Sequence, residues 1–303
     1  MERRIRQMQI DKKNRLLYLS IGGNDEDWGI VVTTVGYQSI PSHTPYPPRQ
    51  HPDTYLFTPD KGRVINEYQL VYIINGNGWF SSQHFKKEQR VTAGTLLLLF
   101  PGEWHSYAPD FGTGWDEYWV GFRGQHIDNR VNKGFFSVKE PLHNIGVDSS
   151  IVENYENIIY IAQKEKAGYQ QMISSIVLSI LGAYYYKSKN EQYSDSSIVE
   201  KINEARALIK NNIENELSPE EIAKKLGLGY SWFRRMFKEY TGVSPVQYHL
   251  QNKLMKAKEF LTTTDKNISE IAYALHFENV GQFSTFFKKK EGITPSEFRN
   301  RNH

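Results

Sequence analysis

The sequence predicts an α+β chain of two domains: an N-terminal antiparallel barrel or sandwich backed by helices, then an all-α C-terminal domain. Three observations carry this. Residues 15 to about 140 break into short β-branched and aromatic runs punctuated by Gly and Pro, the pattern of an all-β domain. From residue 148 onward the apolar residues fall at helical spacing. A phrase of 13 residues is also written twice, FRRMFKEYTGVSP at 233–245 and FSTFFKKKEGITP at 283–295.

Composition narrows the class. A length of 303 residues allows two domains with real cores, and 23% charged with 14% aromatic residues is a globular mixture. No apolar run is long enough to span a bilayer. The start, MERRIRQMQIDKKNR, is basic and lacks the apolar stretch of a secretory signal. The absence of cysteine excludes disulfides, thiolate metal sites and cysteine nucleophiles, and fits a reducing cytoplasm. Residues 197–303 hold 17 Lys and Arg against 13 Asp and Glu, while the remainder holds 20 against 21. The positive excess therefore lies with the repeat, which favours a polyanion partner over a merely solvated surface.

The elements are taken in chain order. IPSHTPYPPRQHPD (40–53) is Pro-rich and reads as an extended arm or loop. QLVYIINGNGWFS (69–81) reads as a hairpin about Gly-Asn-Gly. GTLLLLFPGEWHSY (94–107) is a buried strand, a Pro-Gly turn and a second strand start, and EYWVGF (117–122) alternates in period two. Ile151, Tyr155, Ile158, Ile159 and Ala162 mark one helix. Ile173, Ile176, Val177, Ile180, Leu181 and Tyr184 mark another, with the break at Gly168. The expected domains are 1–147 as a sensing domain, 148–188 as a helical packing or dimerisation segment, 189–197 as a polar linker, and 198–303 as the helical domain.

The repeat has a structural reading. Ile222-Ala223 and Ile271-Ala272 open short helices that Leu226 and Leu275 close; a turn and a second helix come next in both. That is helix–turn–helix, twice. Ser218-Pro219-Glu220-Glu221 is a capped helix start, and Asn267 or Ser269 caps the equivalent one. Phe233, Met236, Phe237 and Tyr240 form the inner face of one second helix, leaving Ser231, Arg234, Arg235 and Lys238 outside. In the other, Phe283, Phe286 and Phe287 turn inward, leaving Gln282, Ser284, Thr285, Lys288 and Lys289 outside. Arg can grip guanine and Gln can grip adenine with two hydrogen bonds each, and Lys suits phosphates. Pro245 to about Thr263 reads as one connecting helix, roughly 28 Å long at about 1.5 Å per residue. Major grooves on one DNA face recur at roughly 34–36 Å, so such a connector suits a bipartite reader of double-stranded DNA. A single Phe-rich helix with a KKK run would be ordinary core and solvated face; two units in fixed register outweigh that.

At these motifs the chain resembles the AraC/XylS family of transcription regulators. IAxxL, the FxxxFKxxxGxxP phrase in both units and the closing ITPSEFRNR carry the likeness across 198–300. The resemblance implies an N-terminal cupin-like β-barrel with dimerisation helices and a double helix–turn–helix DNA-binding domain. It places base contacts at Ser231, Trp232, Arg234 and Arg235 in the first unit and at Gly281, Gln282 and Thr285 in the second. Lys238, Lys288 and Lys289 fall to phosphate. The family usually has Gly where this chain has His276, and no Arg stands at 281–285, so the second unit is expected to hold phosphate more than to read bases.

Gly94, Phe100, Pro101-Gly102 and His105 approximate the second motif of a cupin, with Phe100 in place of Pro. The first motif's histidine pair is missing and only His84 is offered, so no metal and no cofactor is expected. A metal-binding cupin enzyme fused to a DNA-binding domain is the alternative reading. The resemblance to arabinose-responsive members puts Tyr107, Glu117 and Trp119 in an effector pocket, with Arg63 as a further contact and His105 beside them. Aromatic faces beside a carboxylate and a guanidinium suit a saccharide. The implied protein is a non-enzymatic cytoplasmic regulator, an activator acting as a homodimer. It has RNA polymerase as a further candidate partner and no membrane contact. The stripe Ile173–Tyr184 is the candidate dimer surface.

Overall fold

A computed structural model of the chain describes residues 14–47, 57–191, 196–213 and 217–302. The chain divides into two units, residues 1–192 and 193–303. The N-terminal unit is an antiparallel sheet of β1 (Arg15–Tyr18), β2 (Val31–Ile40), β3 (Tyr68–Ser82), β4 (Phe85–Thr92), β5 (Thr95–Leu99), β6 (His105–Pro109), β7 (Trp115–Arg123) and β8 (Leu142–Asn144). A short helix α1 (Gln125–Asn132) precedes β8, and α2 (Ser149–Lys164) and α3 (Tyr169–Glu191) come after it.

The ladder runs β1-β2-β7-β3-β5-β8, with β4 and β6 also pairing to β3. Among the described residues it does not close on itself, so the expected barrel is an open, folded-over sheet. The fold line is β3, and here the expected hairpin at 69–81 is corrected. Gly-Asn-Gly does not reverse the chain. β3 continues for 15 residues through a register shift between Ile73 and Asn75. Its first half pairs with β5 and β7, its second with β4 and β6. Gly76 sits at φ +80°, and a Cβ there would lie 2.2 Å from the Gly114 carbonyl oxygen. A left-handed residue pressed against a neighbouring backbone bends the strand where the sequence pattern suggested a turn.

Both faces of the sheet are buried. Leu70, Tyr72, Leu96, Leu98, Tyr118 and Val120 face α2 and α3. Val71, Ile73, Leu97, Leu99, Trp115 and Trp119 face the fold's interior. This is why TLLLL shows no alternation: every residue has an apolar neighbour. Ile173, Val177, Ile180, Leu181 and Tyr184 belong to the first of these cores. The expected dimer stripe is therefore consumed inside the protomer, and the outer face of α3 carries Met172, Ser175, Ser179, Gly182 and Tyr186 instead.

Helix and sheet are also latched by polar groups. β2 shifts register between Val32 and Thr34. The buried Gln170 amide repairs the gap: its Oε1 accepts from Val32 N at 3.1 Å and its Nε2 donates to Val32 O at 3.0 Å. Ser174 Oγ donates to Ile30 O at 2.8 Å. On α2, Glu156 takes a two-pronged bond from Arg15 at 2.6 and 2.7 Å and a third from the Tyr118 hydroxyl.

The C-terminal unit comprises α4 (Ser196–Asn211), α5 (Pro219–Lys225), α6 (Tyr230–Thr241), α7 (Pro245–Thr263), α8 (Ile268–Ala274), α9 (Val280–Glu291) and α10 (Pro295–Asn302). Capping boxes start α5 at Ser218, α7 at Ser244 and α8 at Asn267. The repeat builds two small cores. Ile222, Ala223, Leu226, Phe233 and Phe237 pack with Ile202, Ala205 and Ile209 of α4. Ile271, Ala272, Leu275, Phe283 and Phe287 pack with Ala257, Phe260 and Leu261 of α7. At the departure noted in the sequence, His276 takes φ +53°, close to the +67° of its counterpart Gly227. The turn keeps its left-handed shape although a side chain is present.

Candidate functional site

The α5–α6 and α8–α9 pairs each present one helix outward. On α6, Ser231, Arg234, Arg235 and Lys238 are exposed and Trp232 is half-buried, while Phe233 and Phe237 anchor the opposite face. On α9, Gly281, Gln282, Thr285, Lys288 and Lys289 are exposed and Ser284 is partly covered, with Phe283 and Phe287 inward. Among the described residues Arg234, Arg235, Lys238, Lys288 and Lys289 enter no hydrogen bond or ion pair through their side chains. Five cations on two outward faces are left for a polyanion.

The two helices begin differently. α6 starts at Gly229 with no side-chain cap. α9 starts at Asn279, whose side chain accepts from Gln282 N at 2.8 Å. Gln282 answers by accepting from Glu278 N on its Oε1 at 3.0 Å. A backbone donor needs an acceptor, so the amide oxygen faces the helix start and the Nε2 donor faces out. Gln282 is thus engaged in shaping α9, and a two-bond grip on adenine requires that capping bond to be shared or released.

In the N-terminal unit the structure brings Arg63, Tyr107, Glu117 and Trp119 together around one small cavity. Tyr18, Tyr46, Phe57, Gln69 and Val71 join them. Glu117 and Trp119 alternate on the inner face of β7, and Tyr107 comes from β6. Gly36 of β2 stands opposite Trp119, where a Cβ would be 2.3 Å from the indole ring, so only glycine leaves room for it.

Arg63 organises the polar groups. Its NH2 donates to Gln69 Oε1 at 3.0 Å and to Tyr107 OH at 2.8 Å, and its Nε donates to His105 Nε2 at 3.3 Å. The guanidinium lies 4.7 Å from the Phe57 ring centre. The backbones of Arg63 and His105 are bridged by reciprocal bonds of 2.9 and 3.0 Å.

His105 is a buried supporting residue behind Arg63 and does not line the cavity. Its Nε2 must accept from Arg63, so its proton sits on Nδ1, which is 3.1 Å from Glu103 O. Burial first, and the Arg63 charge second, hold its pKa down to about 3. With both nitrogens engaged it is poorly placed as a metal ligand. Among the described residues no His, Asp and Glu gather into a metal-holding group.

Among the described residues Glu117 is the most perturbed carboxyl. Burial pushes its pKa up to about 8 against the pull of Arg63. Its Oε2 is buried with no hydrogen-bond partner among the described residues. A buried carboxyl oxygen without a partner is a group for a ligand to satisfy. Sequence reasoning missed Gln69, Phe57 and Tyr46. Gln69 could have been found, because it alternates with Val71 on the strand that faces β7. Tyr46 lies within the Pro-rich 40–53 stretch, whose residues 48–53 are outside the described residues.

Comparisons with known proteins show the same division. Residues 44–181 match the family described as an AraC-like ligand binding domain. Residues 222–301 match a helix-turn-helix domain family. The Msm operon regulatory protein of Streptococcus mutans is 24% identical over 248 residues, 81% of this chain and 87% of that protein. The lactose operon transcription activator of Staphylococcus xylosus is 26% identical over 243 residues, 78% of this chain and 85% of that protein. Among solved structures, a regulator from Chromobacterium violaceum with an AraC-type DNA-binding domain is 33% identical. It covers 36% of this chain and 96% of its own, with a TM-score of 0.33.

Proposed function

This chain belongs to the AraC family of ligand-responsive transcription regulators, and from that premise we propose that it activates its target genes when a saccharide enters the Arg63–Glu117 cavity. The observation that carries the effector class is the lining itself. Trp119, Tyr107 and Phe57 supply faces for C–H surfaces; Arg63 and Glu117 supply hydrogen bonds to hydroxyls. The relative named as a lactose operon transcription activator agrees with that choice. The protein works by binding and not by catalysis, in the cytoplasm.

DNA is read asymmetrically in this proposal. Arg234 and Arg235 on α6, with Ser231 and Trp232, reach base edges, and Lys238 reaches phosphate. On α9, Gly281 and Thr285 approach the groove, Gln282 presents its Nε2 donor, and Lys288 and Lys289 hold phosphate. α7, 19 residues long, is the spacer. We assign 1–147 to sensing, 148–188 to packing and dimer contact through the outer face of α3, 189–197 to the linker and 198–303 to DNA. Contact with RNA polymerase accompanies activation.

The test uses the full chain. Selection from a random duplex library, then anisotropy titration, gives the operator. Melting temperature against a panel of mono- and disaccharides gives the effector, because a ligand that binds the native state must raise it by mass action. A saturable shift with one sugar, lost in Trp119→Ala with operator binding intact, supports the reading. A chain that binds its operator and ignores the whole panel overturns the saccharide assignment and leaves DNA binding standing.

A further inference from the structure

The cavity framed by Arg63, Tyr107 and Glu117 measures only about 30 Å³, room for roughly one water. Ligand pockets run to about 300–1,000 Å³. Tyr46, carried by the segment 41–47 that comes after β2, is part of the cavity's wall. Its ring centre lies 6.0 Å edge-on to Trp115, 6.1 Å edge-on to Phe57 and 6.2 Å from Tyr107. Its hydroxyl lies near that of Tyr107, and each raises or lowers the other's readiness to ionise. The Tyr107 hydroxyl is the one to which Arg63 donates at 2.8 Å.

Tyr46 therefore does what a ligand would do: it stacks among the aromatic walls and puts a hydroxyl on the polar cluster. It does so incompletely. Glu117 Oε2 and Trp115 Nε1, from the same face of β7, stay buried without hydrogen bonds among the described residues. Nearer β2 the segment is held at His43. His43 N donates to Phe111 O at 2.6 Å and the two rings meet edge-on at 5.0 Å, at a Phe111 that is 64% exposed.

Resting on the pocket reading above, we propose that Tyr46 is the resident occupant of the effector subsite and that the effector displaces it. The incoming molecule places one hydroxyl on Tyr107 and brings a hydrogen-bond partner for Glu117 Oε2. Tyr46 thereby sets a threshold. Affinity is reduced by the fraction of time the subsite is filled from within, and the movement of 41–47 reports occupancy to the rest of the chain.

The experiment compares full-length wild type, Tyr46→Ala and Tyr46→Phe. The first probe is p-cresol, the tyrosine side chain as a free molecule. Tyr46→Ala should show a saturable rise in melting temperature with p-cresol that the other two proteins lack. Failure of Tyr46→Ala to bind it overturns the proposal. The second probe is the sugar panel. Any sugar that binds wild type should bind Tyr46→Ala roughly tenfold or more tightly and compete with p-cresol there. Equal or weaker binding means that Tyr46 grips the effector instead of yielding to it, and overturns the proposal. Tyr46→Phe, which loses only the hydroxyl, should tighten sugar binding by a few-fold; unchanged binding counts against displacement at Tyr107. If p-cresol binds Tyr46→Ala while no sugar binds any of the three, the resident-occupant proposal stands and the saccharide assignment falls.

Discussion

Replacing Glu117 by Gln should change how the stability of the sensing unit depends on pH. In an unfolded chain this carboxyl titrates near 4.5, and in the folded protein near 8. Between those values the folded state keeps a proton that the unfolded state has lost. Stability therefore falls as pH rises through the window, by about 1.4 kcal/mol per unit. From pH 5 to pH 8 this amounts to about 4 kcal/mol, a large fraction of a domain's net stability. Below 4.5 both states hold the proton and the term vanishes; above 8 neither does and the loss is constant. A glutamine side chain has no proton to lose in this range, so Glu117→Gln should gain on wild type steadily across pH 5–8. The assay is urea unfolding of the full chain at half-unit pH steps, monitored by near-UV circular dichroism. Five of the six tryptophans lie before residue 193, so that signal is weighted to the sensing unit. Parallel pH profiles for the two proteins would refute the reasoning, since they would mean that Glu117 is hydrated and titrates normally.

Other expectations concern both units. Arg235→Ala should weaken operator binding by about 1–3 kcal/mol and relax preference at one base position; unchanged preference in repeated selection removes Arg235 from base contact. Lys289→Ala should weaken binding to every sequence alike and flatten the salt slope by about 0.9, which anisotropy titrations at several salt concentrations read directly. Gln170→Ala leaves the Val32 N–H and C=O without partners beside a β-bulge. At about 1–3 kcal/mol for each orphaned group, the sensing unit should melt several degrees lower; a shift under about one degree means water fills the gap. Gly36→Ala should push the Trp119 indole out of place and abolish the response to effector while operator binding persists.

Much of the helical domain was legible because its signals are local. Ser218 with Glu221 three residues on is a capping box in the sequence and in the structure, and the 19-residue α7 begins at the Pro245 that the sequence marks. The sheet was less so. A Gly-Asn-Gly turn and a Gly-Asn-Gly bend look alike until Gly114, nearly forty residues away, is known to lie against Gly76. The α3 stripe was equally visible and equally ambiguous, because periodicity reports that a face is buried and not what buries it. At the site, Glu117 and Trp119 could be paired from strand alternation. The role of His105 could not, since it depends on a backbone bridge to Arg63 from 42 residues upstream. Tyr46 was hidden by its surroundings: a tyrosine among prolines reads as loop, and only three-dimensional packing shows its ring inside the sheet's fold.

The two small cores of the C-terminal unit are joined through α7, and this makes the length of that helix an angular quantity. Each residue added to an α-helix rotates the structure beyond it by about 100° and advances it about 1.5 Å. One residue inserted in α7 would therefore turn α9 by about 100° around the α7 axis relative to α6, although it moves it by only about 1.5 Å. The relative orientation of the two outward helices, more than their separation, is what the length of α7 holds constant.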